Sequence, residues 1–351
     1  MIRDAFDADG LAARCRGAGR SRPVSVDGGG PAAAGIAGRA RARVRVGHHG
    51  GVTQVVERGA GLRALADLVS DGDVVVLSGA GISTESGIPD YRGETGLSRR
   101  RGDPMTYQAF TGSAEARRRY WARSHLGWRH IKAARPNAGH LAVAELQRRG
   151  LLAGIITQNV DGLHGAAGAA GVIELHGSLD RVVCLACGAR TPRGYLDARL
   201  RAANPGFGEP SGGSAGDHPG LHGQDGSVNP DGDAELDDRA VDAFRVVGCD
   251  RCGGPLKPDV VFFGENVPPA RVADCFALTG RAGALLVLGS SLTVMSGYRF
   301  VRRAARDGIP VGIVNRGPTR GDGDALVTLD APLGETLGAL LGELPGPSAA
   351  P

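Results

Sequence analysis

Apolar and polar positions follow two rhythms along this chain. Leu62, Leu65, Leu68 and Val69 recur at helical spacing until Asp71-Gly72 breaks the pattern. Residues 74–77 are a continuous apolar run, the pattern of a parallel strand covered on both faces, and they lead into Ser78-Gly79-Ala80-Gly81-Ile82-Ser83. A helix is predicted over 113–133, with Tyr120, Trp121, Leu126, Trp128 and Ile131 as its apolar members. Pro136-Asn137 opens a second helix that Gly150 stops. Strands are predicted at 152–157 and 172–175, the first ending in Gln158-Asn159-Val160-Asp161 and the second in His176-Gly177.

The rhythm changes between Cys184 and Cys252, where 204–233 is rich in Gly, Pro and Asp and reads as a loop or insertion. It then returns, with strands expected at 260–263, 285–288, 311–314 and 327–329. Helices are expected at 268–281, 298–306 and 336–341. Strands alternating with helices predict an α/β fold with a doubly wound parallel sheet. Ligands of such sheets bind beyond the carboxyl ends of the strands. Those ends carry the polar signatures here: Gly79-Ala80-Gly81, Gln158 to Asp161, His176-Gly177, Gly289-Ser290-Ser291 and Asn315-Arg316.

Composition adds limits. An apolar share of 42 % supports a core, and 58 glycines in 351 residues point to long loops. The net charge of +4 sits in residues 1–57, which hold nine arginines against five acidic residues; the rest has 32 of each sign. A neutral body lacks the clustered basic face of a nucleic-acid binder. No apolar run reaches membrane-spanning length, and no apolar segment of a secretory signal follows the first arginines. Residues 1–57 are expected to be a disordered Arg/Ala/Gly-rich tail, and the protein is expected to be cytoplasmic.

Chemistry enters at the turns. Gly79 and Gly81 allow close backbone approach, and the helix beyond them offers free N–H groups to a phosphate. The next glycine is Gly87, so the spacing departs from G-x-G-x-x-G, and the loop reads either as a dinucleotide cradle or as a tight structural turn. Glu85 to Arg92 is too polar and broken for a packed helix; it reads as a loop closing on a ligand through Asp90 and Arg92. Asn159 and Asp161 either cap the next turn or face a ribose or carboxamide. His176, at a strand end facing the same crevice, has the side chain suited to take a proton from a hydroxyl near neutral pH. Cys184-x-x-Cys187 and Cys249-x-x-Cys252, each followed by glycine, are expected to hold one structural zinc ion, with redox-active pairs as the alternative. Residues 257–265 are a core strand, or an edge strand offering Val261, Phe262, Phe263 and Gly264 to an extended peptide.

Taken together and in this order, these motifs resemble the sirtuin family over about residues 60–340. Ser83-Thr-Glu-Ser86, Arg119-Tyr-Trp-Ala-Arg123, Lys257 to Gly264 and Ser296-Gly-Tyr-Arg-Phe300 resemble its class II branch, which includes a mitochondrial sirtuin of animals. The resemblance implies a Rossmann-like domain over 58–180 and 256–345, with an inserted zinc-binding module over 181–255. It implies an NAD-dependent protein lysine deacetylase or deacylase acting on acylated-lysine proteins or peptides, producing nicotinamide, O-acyl-ADP-ribose and free lysine. His176 would be the base, assisted by Asn159 and Asp161. The NAD contacts it implies are Gly79, Ala80, Gly81, Ser83, Glu85, Ile88, Pro89, Asp90, Tyr91, Arg92, Gln158, Asn159, Val160, Asp161, Gly289, Ser290, Ser291, Asn315, Arg316, Gly317 and Leu333. The Tyr and Arg that serve acidic acyl groups elsewhere have no convincing counterpart after Arg92, so a succinyl preference is not supported. A mono-ADP-ribosyltransferase on the same NAD site and a non-catalytic NAD-sensing, zinc-dependent interaction protein stay open, as does a Rossmann oxidoreductase.

Overall fold

The computed structural model describes residues 44–46, 52–91, 104–208, 236 and 238–345. The chain runs through β1 (Val44–Val46), α1 (Val52–Ser70) and β2 (Val74–Ser78) into a 3-10 turn, Ala80–Ser86. Three helices follow: α2 (Tyr107–Gly112), α3 (Ala114–Ala133) and α4 (Ala138–Arg148). Next come β3 (Leu152–Thr157), α5 (Leu163–Ala166), β4 (Ile173–Glu174), β5 (Gly177–Cys184), β6 (Arg190–Pro192), α6 (Arg193–Ala203) and α7 (Asp238–Ala243). The remainder is β7 (Leu256–Val260), α8 (Pro269–Gly280), β8 (Ala284–Leu288), α9 (Met295–Arg306), β9 (Val311–Asn315), β10 (Val327–Asp330) and α10 (Leu333–Glu343). Among the described residues no helix is long and apolar enough to cross a membrane.

Seven strands form one parallel sheet in the order β1-β10-β9-β8-β2-β3-β4. From β2 the chain builds outward through β3 and β4, then returns to β8 on the other flank. The order therefore reverses between β2 and β8, and the crevice above those two strands is the fold's ligand position. Alternation along each strand explains the continuous apolar runs. Val74, Val76, Leu286 and Leu288 face α1, α4 and α10, while Val75, Leu77, Leu285 and Val287 face α8 and α9. Cys275 fills the second layer.

A second, three-stranded antiparallel sheet, β6-β5-β7, packs with α2, α3 and α6 around an aromatic core of Phe110, Tyr120, Trp121, Trp128 and Phe262. Its strand β5 straddles the expected boundary at 181, and β7 begins just past the one at 255. The strand expected at 260–263 lies earlier, over Leu256–Val260, because the chain turns at Phe262: Glu265 N–H donates to Phe262 O at 3.0 Å, and Gly264 has φ +77°. Two elements fall inside the stretch read as a tail. Val44–Val46 pairs in parallel with Val327–Leu329, and α1 starts at Val52, ahead of the apolar periodicity that begins at Leu62. The other residues of 1–57, and 209–233 of the expected insertion, lie outside the described residues.

Candidate active site

The crevice is made by backbone meeting backbone. Gly79 N–H donates to Leu288 O at 2.9 Å and Gly81 N–H to Gly289 O at 2.8 Å, which joins the turns after β2 and β8. A Cβ on Gly81 would lie 2.8 Å from Gly289 Cα, and one on Gly289, whose φ is +62°, would lie 2.5 Å from Ile82 N. No side chain fits between these turns, so the crevice floor is bare peptide. Asn137, the N-cap of α4, fastens the loop from outside: its Nδ2 donates to Ile82 O at 2.7 Å and to Ser86 Oγ at 3.0 Å.

The turn after β3 meets the glycine loop directly. Asn159 Nδ2 donates to Gly79 O and to Ser83 Oγ, each at 3.1 Å, and Ser83 Oγ donates to Asp161 Oδ2 at 2.7 Å. Asp161 Oδ1 also accepts from Leu163 N–H at 2.9 Å, so one carboxylate both starts α5 and faces the loop. Gln158 Nε2 donates to Ser290 Oγ at 2.9 Å, which ties this turn to the one after β8.

His176 stands at the rim, partly exposed. Its Nδ1 lies 2.8 Å from Gln158 O, and its Nε2 lies 2.8 Å from Ser296 Oγ in the first turn of α9. A carbonyl can only accept, so in the neutral ring Nδ1 carries the hydrogen and Nε2 keeps its lone pair. Burial pushes the imidazole down to about 4, with the Arg271 and Arg299 charges adding to the effect and the Gln158 carbonyl opposing it. The ring is thus neutral at pH 7, with its Nε2 lone pair set against the Ser296 hydroxyl.

The other expected contacts divide between crevice and scaffold. Ala80, Pro89, Asp90 and Tyr91 are partly exposed along the loop, and Val160 O accepts from Leu179 N–H at 2.9 Å. Ser291 and Asn315 stand at the ends of neighbouring strands. Asn315 Nδ2 closes its own turn on the carbonyls of exposed Arg316 and of Gly317. Three residues are committed elsewhere: Glu85 Oε1 accepts from Gly334 N–H at the start of α10, while Ile88 and Leu333 are buried in apolar clusters. Arg92 lies outside the described residues.

Beside His176, Val261 N–H donates to His176 O at 2.8 Å. Phe262 is buried among Phe110 and Tyr120, whereas Phe263 is exposed and its ring edge meets Tyr91 at 6.2 Å. Phe263 O already accepts from Tyr107 N–H at 2.9 Å, so this strip is a turn rather than a bare strand edge. An ion pair between buried Lys257 and partly exposed Glu265, Nζ to Oε2 at 2.9 Å, holds it, and the same oxygen accepts from Phe262 N–H.

Cys184, Cys187, Cys249 and Cys252 bring their sulfurs within 4.8 Å of one another. Cys184 and Cys252 Sγ are 3.6 Å apart, and Cys187 and Cys249 Sγ are 3.8 Å apart. Tetrahedral Zn–S bonds of about 2.3 Å need sulfurs about 3.8 Å apart, so the set fits one zinc ion. Gly188 and Gly253, at φ +69° and +72°, close the two knuckles. All four positions would be thiolates, leaving none for substrate: the site is structural.

The profile described as the Sir2 family matches residues 79–296, more than half of the chain. The chain belongs to the Sir2 family. It is 62 % identical over 276 residues to an NAD-dependent protein deacetylase 1 of Streptomyces coelicolor, covering 79 % of this chain and 87 % of that protein. It is 52 % identical to a protein of the same name from Mycobacterium avium, covering 77 % and 91 %. Among solved structures it is similar to a Sir2–p53 peptide–NAD+ complex (TM-score 0.62, 29 % identity, 80 % of this chain and 98 % of that one). It is also similar to Sir2 bound to acetylated peptide (TM-score 0.60, 27 % identity, 80 % and 98 %).

In this Sir2-family chain, sequence reasoning missed the groups that act through main-chain or short polar contacts. The Gln158 carbonyl that sets the His176 tautomer leaves no mark in a side-chain pattern. A buried polar layer below the crevice, in which Ser78 Oγ lies 2.8 Å from His164 Nε2 and 2.9 Å from Thr157 Oγ1, was hidden inside apolar strands. His140 stacks edge-on to His164 at 5.1 Å; its only sequence signal was the spacing from Asn137.

Proposed function

We propose that this Sir2-family chain is an NAD-dependent protein lysine deacetylase, and more broadly a deacylase, that yields nicotinamide, O-acyl-ADP-ribose and free lysine. The observation that carries this reading is the neutral His176 imidazole at the rim of a backbone-lined crevice, with Nδ1 held by a carbonyl and the Nε2 lone pair met by a single hydroxyl, that of Ser296. NAD supplies a ribose carbon with a leaving group that departs already positioned and without a general acid. The protein's share is then to orient and to move one proton. The Gly79–Gly81 and Gly289–Ser290 turns, where the glycines carry no side chain, let the pyrophosphate approach closely, and Ser83, Asn159 and Asp161 orient the nicotinamide half. Asn315 and Arg316 lie toward the adenosine half. The acyl-lysine enters past Phe263, and His176 Nε2 takes the proton of a ribose hydroxyl once nicotinamide has gone. The four thiolates hold zinc away from this chemistry.

The finer parts of the reading rest on sequence. Class II membership rests on the motifs at 83–86, 119–123, 257–264 and 296–300, and the division into 58–180 with 256–345 and 181–255 rests on the cysteine knuckles. A cytoplasmic location is supported by cysteines arranged for metal rather than disulfides.

The test is a peptide panel carrying acetyl, lipoyl and longer acyl groups, followed by mass spectrometry with and without NAD on zinc-loaded protein. Stoichiometric O-acyl-ADP-ribose is expected, and His176→Ala should slow its formation about 10²–10⁴-fold. ADP-ribose attached to protein instead, or reduced nicotinamide, or no NAD-dependent product on any peptide, sinks the reading.

A further inference from the structure

Ser296 belongs to a motif that the proposed chemistry does not yet use. It is the second residue of α9 and the residue whose side chain meets Nε2 of His176. The Nδ1 hydrogen bond to Gln158 O is a single pivot, and a ring held at one point can swing about it. The contact from Ser296 Oγ at 2.8 Å is the second point, and two points fix the ring plane.

Ser296 is itself tightly placed. A Cβ on the next residue, Gly297, would lie 2.5 Å from Gln158 Oε1, so the first turn of α9 lies directly against the Gln158 side chain. That side chain is anchored in turn to Ser290 Oγ and Ser78 O. Gln158, His176, Ser296 and Gly297 therefore form a closed circuit in which the main chain of β3's end holds one ring nitrogen and the helix start holds the other. The Ser296 contact uses the lone pair that a ribose hydroxyl must reach. Between neutral partners the net stabilisation from such a bond is modest, small enough for it to be exchanged for the substrate hydroxyl.

We propose that Ser296 is a positioning residue for the His176 base, holding the imidazole plane toward the crevice in the free enzyme and yielding Nε2 to the ribose hydroxyl during turnover. The proposal rests on the deacylase reading for its kinetics but not for the contact itself. Expulsion of nicotinamide precedes the base's work, so the two steps separate the effects.

The experiment uses the full zinc-loaded chain and Ser296→Ala. Deacylation kcat is expected to fall about 3- to 10-fold, the size of one net hydrogen bond. KM for NAD and peptide should stay within about twofold and nicotinamide exchange should stay at the wild-type rate, because ground-state binding is untouched. In parallel, ¹⁵N NMR of the imidazoles is expected to show the His176 Nε2 resonance moving toward that of a bare ring nitrogen, with Nδ1 unchanged. Wild-type kcat in Ser296→Ala, or exchange falling in step with kcat, overturns the proposal. So does an unmoved Nε2 resonance, which reads the contact even if the chain deacylates nothing.

Discussion

The parallel-sheet region and the region around the cysteines are held by different physics. β8 contributes five consecutive residues with at most 1 % exposure, and burying each Val or Leu there stabilises by roughly 1.5–3 kcal/mol. The smaller region instead buries charge. Arg193 is 1 % exposed, with its guanidinium 5.2 Å from the Trp121 ring and 4.8 Å from the Trp128 ring, and it shares Asp197 with His125. Lys257 is buried against Glu265. Such pairs are costly to desolvate and add little net stability, so a region relying on them needs another fastening. Four thiolates on two knuckles provide it. The difference teaches where the site can tolerate change: the crevice floor belongs to the rigid sheet, whereas the strip at 261–264, proposed to receive substrate, is held by the metal-fastened part.

Zinc removal breaks this comparison most forcefully. Structural zinc contributes an apparent binding free energy of about 10–16 kcal/mol in small modules, and that energy is folding energy. Cys184→Ser should lose one equivalent of metal. Hydrogen exchange should then become fast over β5, β6 and β7 while the amides of β2, β8 and β9 stay protected. Equal loss of protection in both regions would mean that they are one cooperative unit and that the contrast is wrong.

The glycine crevice gives the next largest effect, now inside the sheet region. Gly289→Ala places a methyl 2.5 Å from Ile82 N at a φ of +62°. Overpacking against backbone together with left-handed strain should cost roughly 2–5 kcal/mol. Chemical melts should show a lower midpoint, and calorimetry should show NAD binding lost while zinc content is unchanged.

Acid separates the regions differently. His140 and His164 lie below the crevice, each 2 % exposed or less, and burial pushes both down to about 4, with His140 also depressing His164. The unfolded value is near 6.5, so the unfolded chain binds protons that the folded chain refuses between those limits. Stability from each histidine is fully present above about pH 6.5 and is lost as pH falls toward 4, by up to about 3 kcal/mol. Exchange at β2 and β3 amides should therefore quicken, after correction for intrinsic rates, from pH 6.5 down to 4.5. Because acid also loosens thiolate metal sites, the sheet amides are the ones to follow. Flat protection across that range would exclude the polar layer as a source of acid sensitivity.

The same contrast governs what could be read from sequence. Six of the seven strands of the sheet were legible within a residue or two, because layers covered on both faces force runs such as Val74 to Leu77, whereas β1 lay unread in the stretch taken as a tail. Their polar ends located the crevice, and the cysteine spacing located the metal set. The smaller region showed α3 but hid β5 and α6. β5 carries Asp180 and Arg181, and Arg181 is satisfied by Glu174 and Asp259, partners that no local pattern reveals. α6 buries Arg193 and Asp197 where periodicity expects apolar residues. Ser296 was visible only as part of a motif, since a serine in the first turn of a helix needs no tertiary role.

Asn137 gives the smallest expected effect on stability and the sharpest division of labour. Its Oδ1 accepts from Gly139 and His140 N–H at the start of α4, while its Nδ2 donates to Ile82 O and Ser86 Oγ in the glycine loop. One amide thus serves the helix with its oxygen and the crevice with its nitrogen. Asn137→Ala removes both and should lower stability by about 1–2 kcal/mol. Asn137→Ser keeps a capping oxygen but cannot reach the loop, so most of the stability should return while NAD affinity stays reduced, which titration calorimetry would read directly. If serine restores affinity together with stability, the loop is held by its glycine contacts alone, and the cap has no share in shaping the crevice.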